Sequence, residues 1–260
     1  MSKKSRRNNR SSKNSNNVVN PFFDERGGSK HYDQKNNGDW HPLDDEIDGR
    51  RDKKYVKNIK PRSEGQAELM KAVDEYNLSL AVGPAGTGKT YIAISKAVEA
   101  LEKGEIERII LSRPAMEAGE SIGFLPGGLD EKMAPYLRPL YDALGDRMGG
   151  KRVRQLLDDG TIEIAPVGFM RGRTLNNSFV VIDEAQNCTY GQLKMLLSRL
   201  GWHSTMIITG DPDQSDLLDG MSGLPDIMNR LDPLPNIAVC RLGAKDIVRH
   251  PLVAEMLSVL

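Results

Sequence analysis

The sequence predicts an α/β protein in which a mostly parallel sheet is covered by helices on both faces. Short runs of almost wholly apolar residues recur between residues 78 and 240, and helical patterns separate several of them. Strands buried on both faces have this composition, and parallel strands need a crossover, usually a helix, to connect them. The apolar fraction of 38% is sufficient for one good core.

The apolar runs predict six strands, and the intervening patterns predict helices. The strands are expected at residues 78–82, 108–112, 161–165, 178–182, 205–209 and 236–240. One helix is expected at residues 191–200, because Leu193, Leu196, Leu197 and Leu200 then share one face.

Residues 1–60 have a different composition, rich in Asn, Ser, Gly and charge. Such a segment buries too little apolar surface to offset the entropy of ordering. We therefore expect a disordered or extended basic tail at 1–60 and a single domain at 61–260. Six of the 36 basic residues lie in the first twenty positions, which contain no acid, so the rest of the chain has 30 basic and 36 acidic residues. The basic cluster is either a solubilising tail or an arm that binds RNA or DNA.

The cellular setting is predicted from the cysteines and the N-terminus. Two cysteines are too few for a disulfide framework or a four-ligand zinc site, so a reduced, cytoplasmic environment is expected. The basic start is not followed by an apolar segment, as a signal peptide would be, and no apolar run is long enough to span a membrane. We expect no membrane partner.

The stretch GPAGTGKT, residues 83–90, matches the phosphate-binding pattern G-x-x-x-x-G-K-[ST] between a predicted strand and a predicted helix. Its glycines let backbone N–H groups turn toward phosphate oxygens, and the helix directs its positive end at the same anion. Lys89 is expected to reach the β and γ phosphates of ATP, and Thr90 to hold Mg²⁺. The residues expected to contact nucleotide are Gly83, Pro84, Ala85, Gly86, Thr87, Gly88, Lys89, Thr90 and Tyr91.

Two further segments complete the predicted ATP site. The run Phe179-Val180-Val181-Ile182 ends in Asp183, which can order Mg²⁺ through water, and Glu184, which can take a proton from attacking water. That second acid suits hydrolysis better than phosphate transfer to a small-molecule hydroxyl. Another predicted strand ends at Gly210, and Gln214 follows as the expected γ-phosphate sensor.

In this order, the three segments resemble the first motor domain of superfamily 1 helicases. The resemblance implies a helicase- or RecA-like sheet, in which the strand ending at Gly210 lies between the phosphate-loop strand and the Asp183 strand. Gln66 stands where such proteins contact adenine; the other reading is an exposed helix residue.

Four segments between and after these motifs resemble the PhoH family, named for phosphate-starvation-inducible proteins. They begin at Arg113 (RPAMEAGE), Ile122 (IGFLPG), Lys132 (KMAPYLRP) and Asp246 (DIVRHPLV), within a similarity covering residues 62–257. The resemblance implies a cytoplasmic ATPase, often linked to RNA metabolism. In helicases the region of Arg113 grips the nucleic-acid backbone; Arg113 either does so here or only orders the loop that follows. The glycine-rich loop at 119–128 is expected to line a pore.

A superfamily 1 helicase closes its ATP site with an arginine from a second motor domain, and this sequence shows one such domain. A neighbouring subunit can supply the cation instead, which favours a homo-oligomeric ring; a hexamer is favoured by analogy with other single-domain ATPase rings. Arg249 is the first candidate for this arginine. Arg241 and Arg230 are alternatives, as is a surface or salt-bridged role for Arg249.

Two functions follow as hypotheses. One is an oligomeric Mg²⁺-dependent ATPase that acts on single-stranded nucleic acid, with RNA favoured over DNA. Helicase-like activity is left open in this hypothesis. The other is an ATP-dependent regulatory or assembly module whose partner is a protein. Stimulation of ATP hydrolysis by RNA would separate them.

Overall fold

The computed structural model describes residues 59–114, 129–218 and 220–248, with side chains left out for 129–135. Three of the sequence predictions lie wholly or mostly outside these residues: the basic tail, the glycine-rich loop at 119–128 and the position of Arg249.

The described residues form six strands and six α-helices. The strands are β1 (Leu78–Val82), β2 (Arg108–Arg113), β3 (Ile162–Pro166), β4 (Ser178–Ile182), β5 (Thr205–Gly210) and β6 (Ala238–Arg241). The helices are α1 (Glu64–Glu75), α2 (Lys89–Lys103), α3 (Leu129–Met148), α4 (Gly150–Asp158), α5 (Tyr190–Leu197) and α6 (Leu224–Leu231). None of the described helices is both long and apolar enough to cross a membrane.

All six strands are parallel and lie in the order β3-β2-β4-β5-β1-β6. The strand ending at Gly210 therefore lies between β1 and β4, as the resemblance to helicase motor domains implied. Because the strands are parallel, their carboxyl ends meet at one edge of the sheet, where the phosphate-binding loop follows β1. The predicted α/β class with a parallel sheet is confirmed.

Two cores cover the faces of this sheet. In β4, Phe179 and Val181 pack into the core formed with α1, α2, α3 and α4, whereas Val180 and Ile182 pack into the core formed with α5 and α6. The alternation follows from the two-residue period of a strand. Both β1 and β4 are buried along their whole length, which explains why their sequences are apolar runs without polar alternation.

Two element boundaries differ from the prediction by two residues or more. The last strand begins at Ala238, not at residue 236, because the Ile237 N–H donates to the Leu234 carbonyl in a turn (3.2 Å) and the register with β1 starts at Ser79–Ala238. The helix predicted at 191–200 ends at Leu197, and Leu200 instead makes a parallel bridge to Leu175. Leu200 is therefore not part of the helical apolar face.

The segment Leu242–Val248, here called the brace, holds the phosphate-binding loop against α1. Its first residue donates from the backbone to Val82 (2.8 Å), and the Val248 N–H donates to the Gly86 carbonyl (3.0 Å). Between them the buried Asp246 carboxylate accepts from the backbone of Gly65 (3.2 Å), at the start of α1, and of Gly243 (2.9 Å). The brace therefore connects β6, the phosphate loop and the first helix.

We expect Asp246→Asn to lower the free energy of unfolding by about 1–3 kcal/mol, the usual cost of weakening hydrogen bonds to a buried charge. The Gly243 N–H, together with the Ser63 hydroxyl and the Gly65 N–H, lowers the pKa of the Asp246 carboxyl. A lowered folded-state pKa stabilises the protein above the unfolded value, near 3.9, and the stabilisation is lost as pH falls through the folded value. The difference in unfolding free energy between wild type and variant should therefore be full at pH 7 and shrink as pH falls below about 4, as denaturant unfolding would measure. A difference in unfolding free energy that stays the same from pH 7 to well below about pH 4 would contradict this role of Asp246.

Candidate ATP-binding and hydrolysis site

The loop at residues 83–90 has the backbone geometry that phosphate binding requires. Gly83 and Gly88 have φ angles of 139° and 83°, which side chains with a Cβ rarely adopt, and α2 begins directly after Gly88. A Cβ on Gly83 would also collide with the carbonyl oxygen of Leu242 in the brace. The loop therefore leads its backbone into the N-terminus of a 15-residue helix, an arrangement that favours anions.

Lys89 is folded onto this loop. Its Nζ donates to the carbonyls of Gly83 (2.6 Å) and Pro84 (2.9 Å). Burial lowers the pKa of the Lys89 ammonium, while the nearby carboxylates of Asp211, Glu184 and Asp183 act in the opposite direction. The ammonium thus lies at the loop, and reaching a bound phosphate requires it to exchange carbonyl partners for phosphate oxygens.

Asp183 is held at the carboxyl end of β4 by two hydroxyl groups. Thr90 Oγ1 donates to Asp183 Oδ1 over 2.7 Å, and Thr209 Oγ1 donates to the same oxygen over 2.5 Å. The other oxygen, Oδ2, is buried and accepts no hydrogen bond within the described residues; its charged neighbour is the Arg113 guanidinium at 3.5 Å. The structure thus brings together Thr90 and Asp183, the two predicted metal-site residues.

These groups fit Mg²⁺, which prefers hard oxygen ligands and usually keeps several waters. Thr90 offers a hydroxyl, and the orphaned Oδ2 of Asp183 offers a carboxylate oxygen to a metal-bound water. No group of three or more His, Cys, Asp or Glu side chains in the described ranges could hold a metal alone. Mg²⁺ bound here would take phosphate oxygens and waters as further ligands.

Glu184 follows Asp183 in a left-handed backbone conformation, with φ 54° and ψ 43°. This conformation costs a residue other than glycine roughly 1–2 kcal/mol. Both carboxylate oxygens have partners: Oε2 accepts from Gln186 Nε2 (2.5 Å), and Oε1 lies 3.3 Å from Arg113 Nη2. The predicted base is 36% exposed and is therefore accessible to water.

The motif analysis did not assign roles to Gln186 and Thr209. Gln186 Oε1 accepts from the Asp211 N–H (3.1 Å), so this one side chain connects Glu184 to the end of β5. A Cβ at Gly210 would lie 2.8 Å from Gln186 Oε1 and 2.7 Å from Leu224. The available signal was a polar residue near the end of each apolar run: Thr209 is the second-last residue of β5, and Gln186 is four residues beyond β4.

Gln214, the predicted γ-phosphate sensor, lies in the turn that follows β5. Its N–H donates to the Asp211 carbonyl (3.2 Å), and the residue is exposed. The next residue, Ser215, donates from Oγ to the Gln186 carbonyl (3.0 Å). The turn is therefore fastened to the segment that contains Glu184, whereas the sensor role of Gln214 stays a prediction.

Gln66 is buried, so the alternative reading as an exposed helix residue is wrong. Its Nε2 donates to the Thr87 carbonyl in the phosphate loop (2.9 Å), and its Oε1 accepts from the Arg62 N–H (2.9 Å). These bonds pull the side chain inward from the α1 surface. Gln66 supports the loop backbone, and the adenine contact stays a prediction.

Arg113 ends β2 and lies beside the two acids of β4. Its side chain lines a cleft of about 380 Å³ together with Tyr91, Asp142 and Asp146. Asp183 and Glu184 border the same cleft. The nucleic-acid contact predicted for Arg113 stays a prediction, but in this structure the guanidinium is paired with the carboxylates of Asp183 and Glu184.

The alternative trans arginines have partners inside the chain. Arg241 forms an exposed ion pair with Asp232 (2.9 Å), and the Arg230 guanidinium lies 5.4 Å from the centre of the Tyr190 ring. Arg249 follows Val248, the residue whose N–H is bonded to the phosphate loop.

Comparison with protein families gives one match over most of the chain. The model described as PhoH, PhoH-like protein, matches residues 58–260.

Individual relatives have similar coverage. The PhoH-like protein of Bacillus subtilis (strain 168) is 53% identical over 203 residues, 78% of this chain and 64% of that protein. The PhoH-like protein of Mycobacterium tuberculosis (strain ATCC 25618 / H37Rv) is 50% identical over 203 residues, 78% of this chain and 58% of that protein. The chain thus spans about three fifths of the length of these relatives. Among solved structures, the UvsW helicase from bacteriophage T4 superposes with a TM-score of 0.43 and 14% identity, over 77% of this chain and 66% of that chain.

Proposed function

The chain belongs to the PhoH-like protein family, and from this premise we propose that it is a Mg²⁺-dependent ATPase. We further propose that hydrolysis is coupled to single-stranded nucleic acid, RNA in particular, in a ring-shaped homo-oligomer in the cytoplasm. The observation that supports the ATPase most directly is Asp183, fixed by Thr90 of the phosphate loop and Thr209 of the central strand, with one buried oxygen left to accept from a metal-bound water.

Binding and orientation of ATP depend on the loop and its lysine. Backbone N–H groups of residues 85–90, which include the start of α2, hold the phosphates. Lys89 exchanges its bonds to the Gly83 and Pro84 carbonyls for β- and γ-phosphate oxygens. Mg²⁺, when bound, neutralises charge on those oxygens, and Thr90 and Asp183 are the residues that would hold it.

Hydrolysis requires a base for the attacking water, and Glu184 fits this role. It is accessible to water and is oriented by Gln186 through a bond to one carboxylate oxygen. We propose that the side-chain amide of Gln214 contacts the γ-phosphate and so acts as its sensor. A carboxylate beside the metal ligand favours water over a small-molecule hydroxyl as the acceptor; a phosphorylated small-molecule product would contradict this assignment.

Coupling to RNA is tested by measuring phosphate release with and without single-stranded RNA at several salt concentrations. Support for the coupling comes from family membership and from the six basic residues in the first twenty positions. We expect RNA to raise the ATPase rate, and the stimulation to weaken as salt rises, because contacts to phosphates release counterions. A rate indifferent to RNA would leave the ATPase and favour the regulatory or assembly module with a protein partner.

We expect Arg249 to act in trans, so mixing two inactive variants should restore activity. Subunits with Lys89→Ala keep Arg249, and subunits with Arg249→Ala keep an intact phosphate loop. In a random equimolar ring, about one quarter of the interfaces would pair an intact loop with an intact arginine. Phosphate release from the mixture should therefore exceed that of either variant alone.

The matched controls are Arg230→Ala and Arg241→Ala, whose side chains already contact Tyr190 and Asp232 within the chain. Each should retain near-wild-type activity on its own. A subunit exchange that is shown by mass to be complete, yet restores no activity, would contradict a trans role for Arg249.

A further inference from the structure

The Arg113 guanidinium lies between the two acids that the ATPase proposal uses. Nη1 is 3.5 Å from Asp183 Oδ2, and Nη2 is 3.3 Å from Glu184 Oε1. The side chain is 19% exposed, so solvent screens these contacts only in part. Its positive charge offsets the two adjacent carboxylates, which would otherwise repel each other.

This pairing competes with the function proposed for the same acids. Oδ1 of Asp183 is occupied by Thr90 and Thr209, so Oδ2 is the oxygen left for a metal-bound water, and Arg113 lies at Oδ2. A guanidinium and a divalent cation at one carboxylate repel each other. Arg113 also donates to Oε1 of Glu184, while Gln186 donates to Oε2, so each oxygen already has one hydrogen-bond partner and its second lone pair is left for water.

A second pair of carboxylates borders the same cleft. Asp142 and Asp146 are four residues apart on α3, which places them on one face of that helix. Both are exposed, and both line the cleft with Arg113 and Glu184. The cleft therefore contains a second pair of acidic side chains for the guanidinium, contributed by α3.

We propose that Arg113 is a positioning residue that alternates between these two acid pairs, and this inference rests on the proposed Mg²⁺-dependent ATPase. Paired with Asp183 and Glu184, it restrains the base in the nucleotide-free protein. Paired with Asp142 and Asp146, it releases Glu184 Oε1 when the metal–nucleotide charge is bound. By linkage, a change that favours the pairing of Arg113 with Asp183 and Glu184 weakens metal binding. A change that favours its pairing with Asp142 and Asp146 strengthens metal binding.

The first test is the affinity of the protein–ADP complex for Mn²⁺, measured by electron paramagnetic resonance of free Mn²⁺. Arg113→Ala should bind Mn²⁺ more tightly than wild type, on the order of tenfold, because a competing positive charge is gone. Arg113→Lys should resemble wild type. The matched control is Arg152→Ala, which also removes an arginine that is paired with an acid, Glu102 (2.9 Å). Glu102 lies about 18 Å along α2 from Thr90, at a rise of 1.5 Å per residue, so this ion pair is remote from the metal site. An Arg113→Ala affinity no higher than that of Arg152→Ala would overturn the inference.

The second test addresses the alternative position. Asp142→Asn/Asp146→Asn removes negative charge near the metal in any case, so its effect is compared in the wild-type and Arg113→Ala backgrounds. We expect the double substitution to lower Mn²⁺ affinity at least several-fold more when Arg113 is present. Equal losses in both backgrounds would show that Arg113 does not use the α3 acids.

Phosphate release by the wild type distinguishes failure of the proposed ATPase from failure of the positioning role of Arg113. A wild type that neither hydrolyses ATP nor binds Mn²⁺ with nucleotide would overturn the ATPase and the positioning role together. An active wild type with unchanged Mn²⁺ affinity in Arg113→Ala would overturn the positioning role alone. Thermal unfolding in EDTA establishes that each variant is folded before its metal affinity is compared.

Discussion

Lys89→Ala should reduce ATP hydrolysis by about 10²-fold or more, the usual effect of removing one group that stabilises transition-state charge. Lys89 is the basic residue of the phosphate loop, and its ammonium already lies within 3 Å of two loop carbonyls. The substitution removes the cation that would bind the β and γ phosphates. The measurement is the steady-state rate of phosphate release at saturating ATP, with nucleotide affinity measured separately.

The matched control for this change is Lys103→Ala. Lys103 is at the other end of the same helix, about 21 Å from Lys89 at a rise of 1.5 Å per residue, and its side chain is 53% exposed. The Lys103→Ala protein should hydrolyse ATP at the wild-type rate. A Lys89→Ala protein that is folded and as active as Lys103→Ala would show that the loop lysine plays no part in catalysis.

Glu184→Gln is the second large effect. We expect the hydrolysis rate to fall by about 10²–10⁴-fold, the range attributed to general-base catalysis. Nucleotide binding should be retained, because Glu184 is not part of the phosphate loop and its Gln replacement keeps an oxygen that accepts from Gln186. Single-turnover phosphate release and binding of a fluorescent nucleotide measure the two properties.

A suitable control is Glu163→Gln on β3, the edge strand separated from β4 by β2. Glu163 forms an ion pair with Arg173, so this change also removes a paired carboxylate. Its ATPase activity should match that of the wild type. If Glu184→Gln lost nucleotide affinity and rate in equal proportion, Glu184 would be a binding residue instead of the base.

The phosphate loop and the strands were predictable because their signals are local. A fully buried parallel strand has an apolar run as its sequence, as in β1 and β4. The phosphate loop matches a fixed sequence pattern with glycines at set positions. The end of α5 was less predictable, because Leu200 fits the helical period and leaves the helix only to pair with Leu175, 25 residues earlier in the chain. That contact has no signature near Leu200.

The site contacts that sequence reasoning missed join distant segments of the chain. Asp246 meets Gly65 across 181 residues of sequence, and Arg113 meets Glu184 across 71. Local patterns indicate that an arginine ends β2 and that two acids follow β4. The pairing between them requires β2 and β4 to be neighbours, which is a property of the strand order. Gln66 likewise turns inward because the Thr87 carbonyl needs a donor.

The most direct test of the central claim is phosphate release from ATP by the wild-type protein in Mg²⁺, compared with the same protein in EDTA and with Glu184→Gln in Mg²⁺. The account predicts turnover that requires Mg²⁺ and is lost in the variant, whether or not RNA raises the rate. Absence of Mg²⁺-dependent phosphate release from folded wild-type protein, with and without RNA, would contradict it.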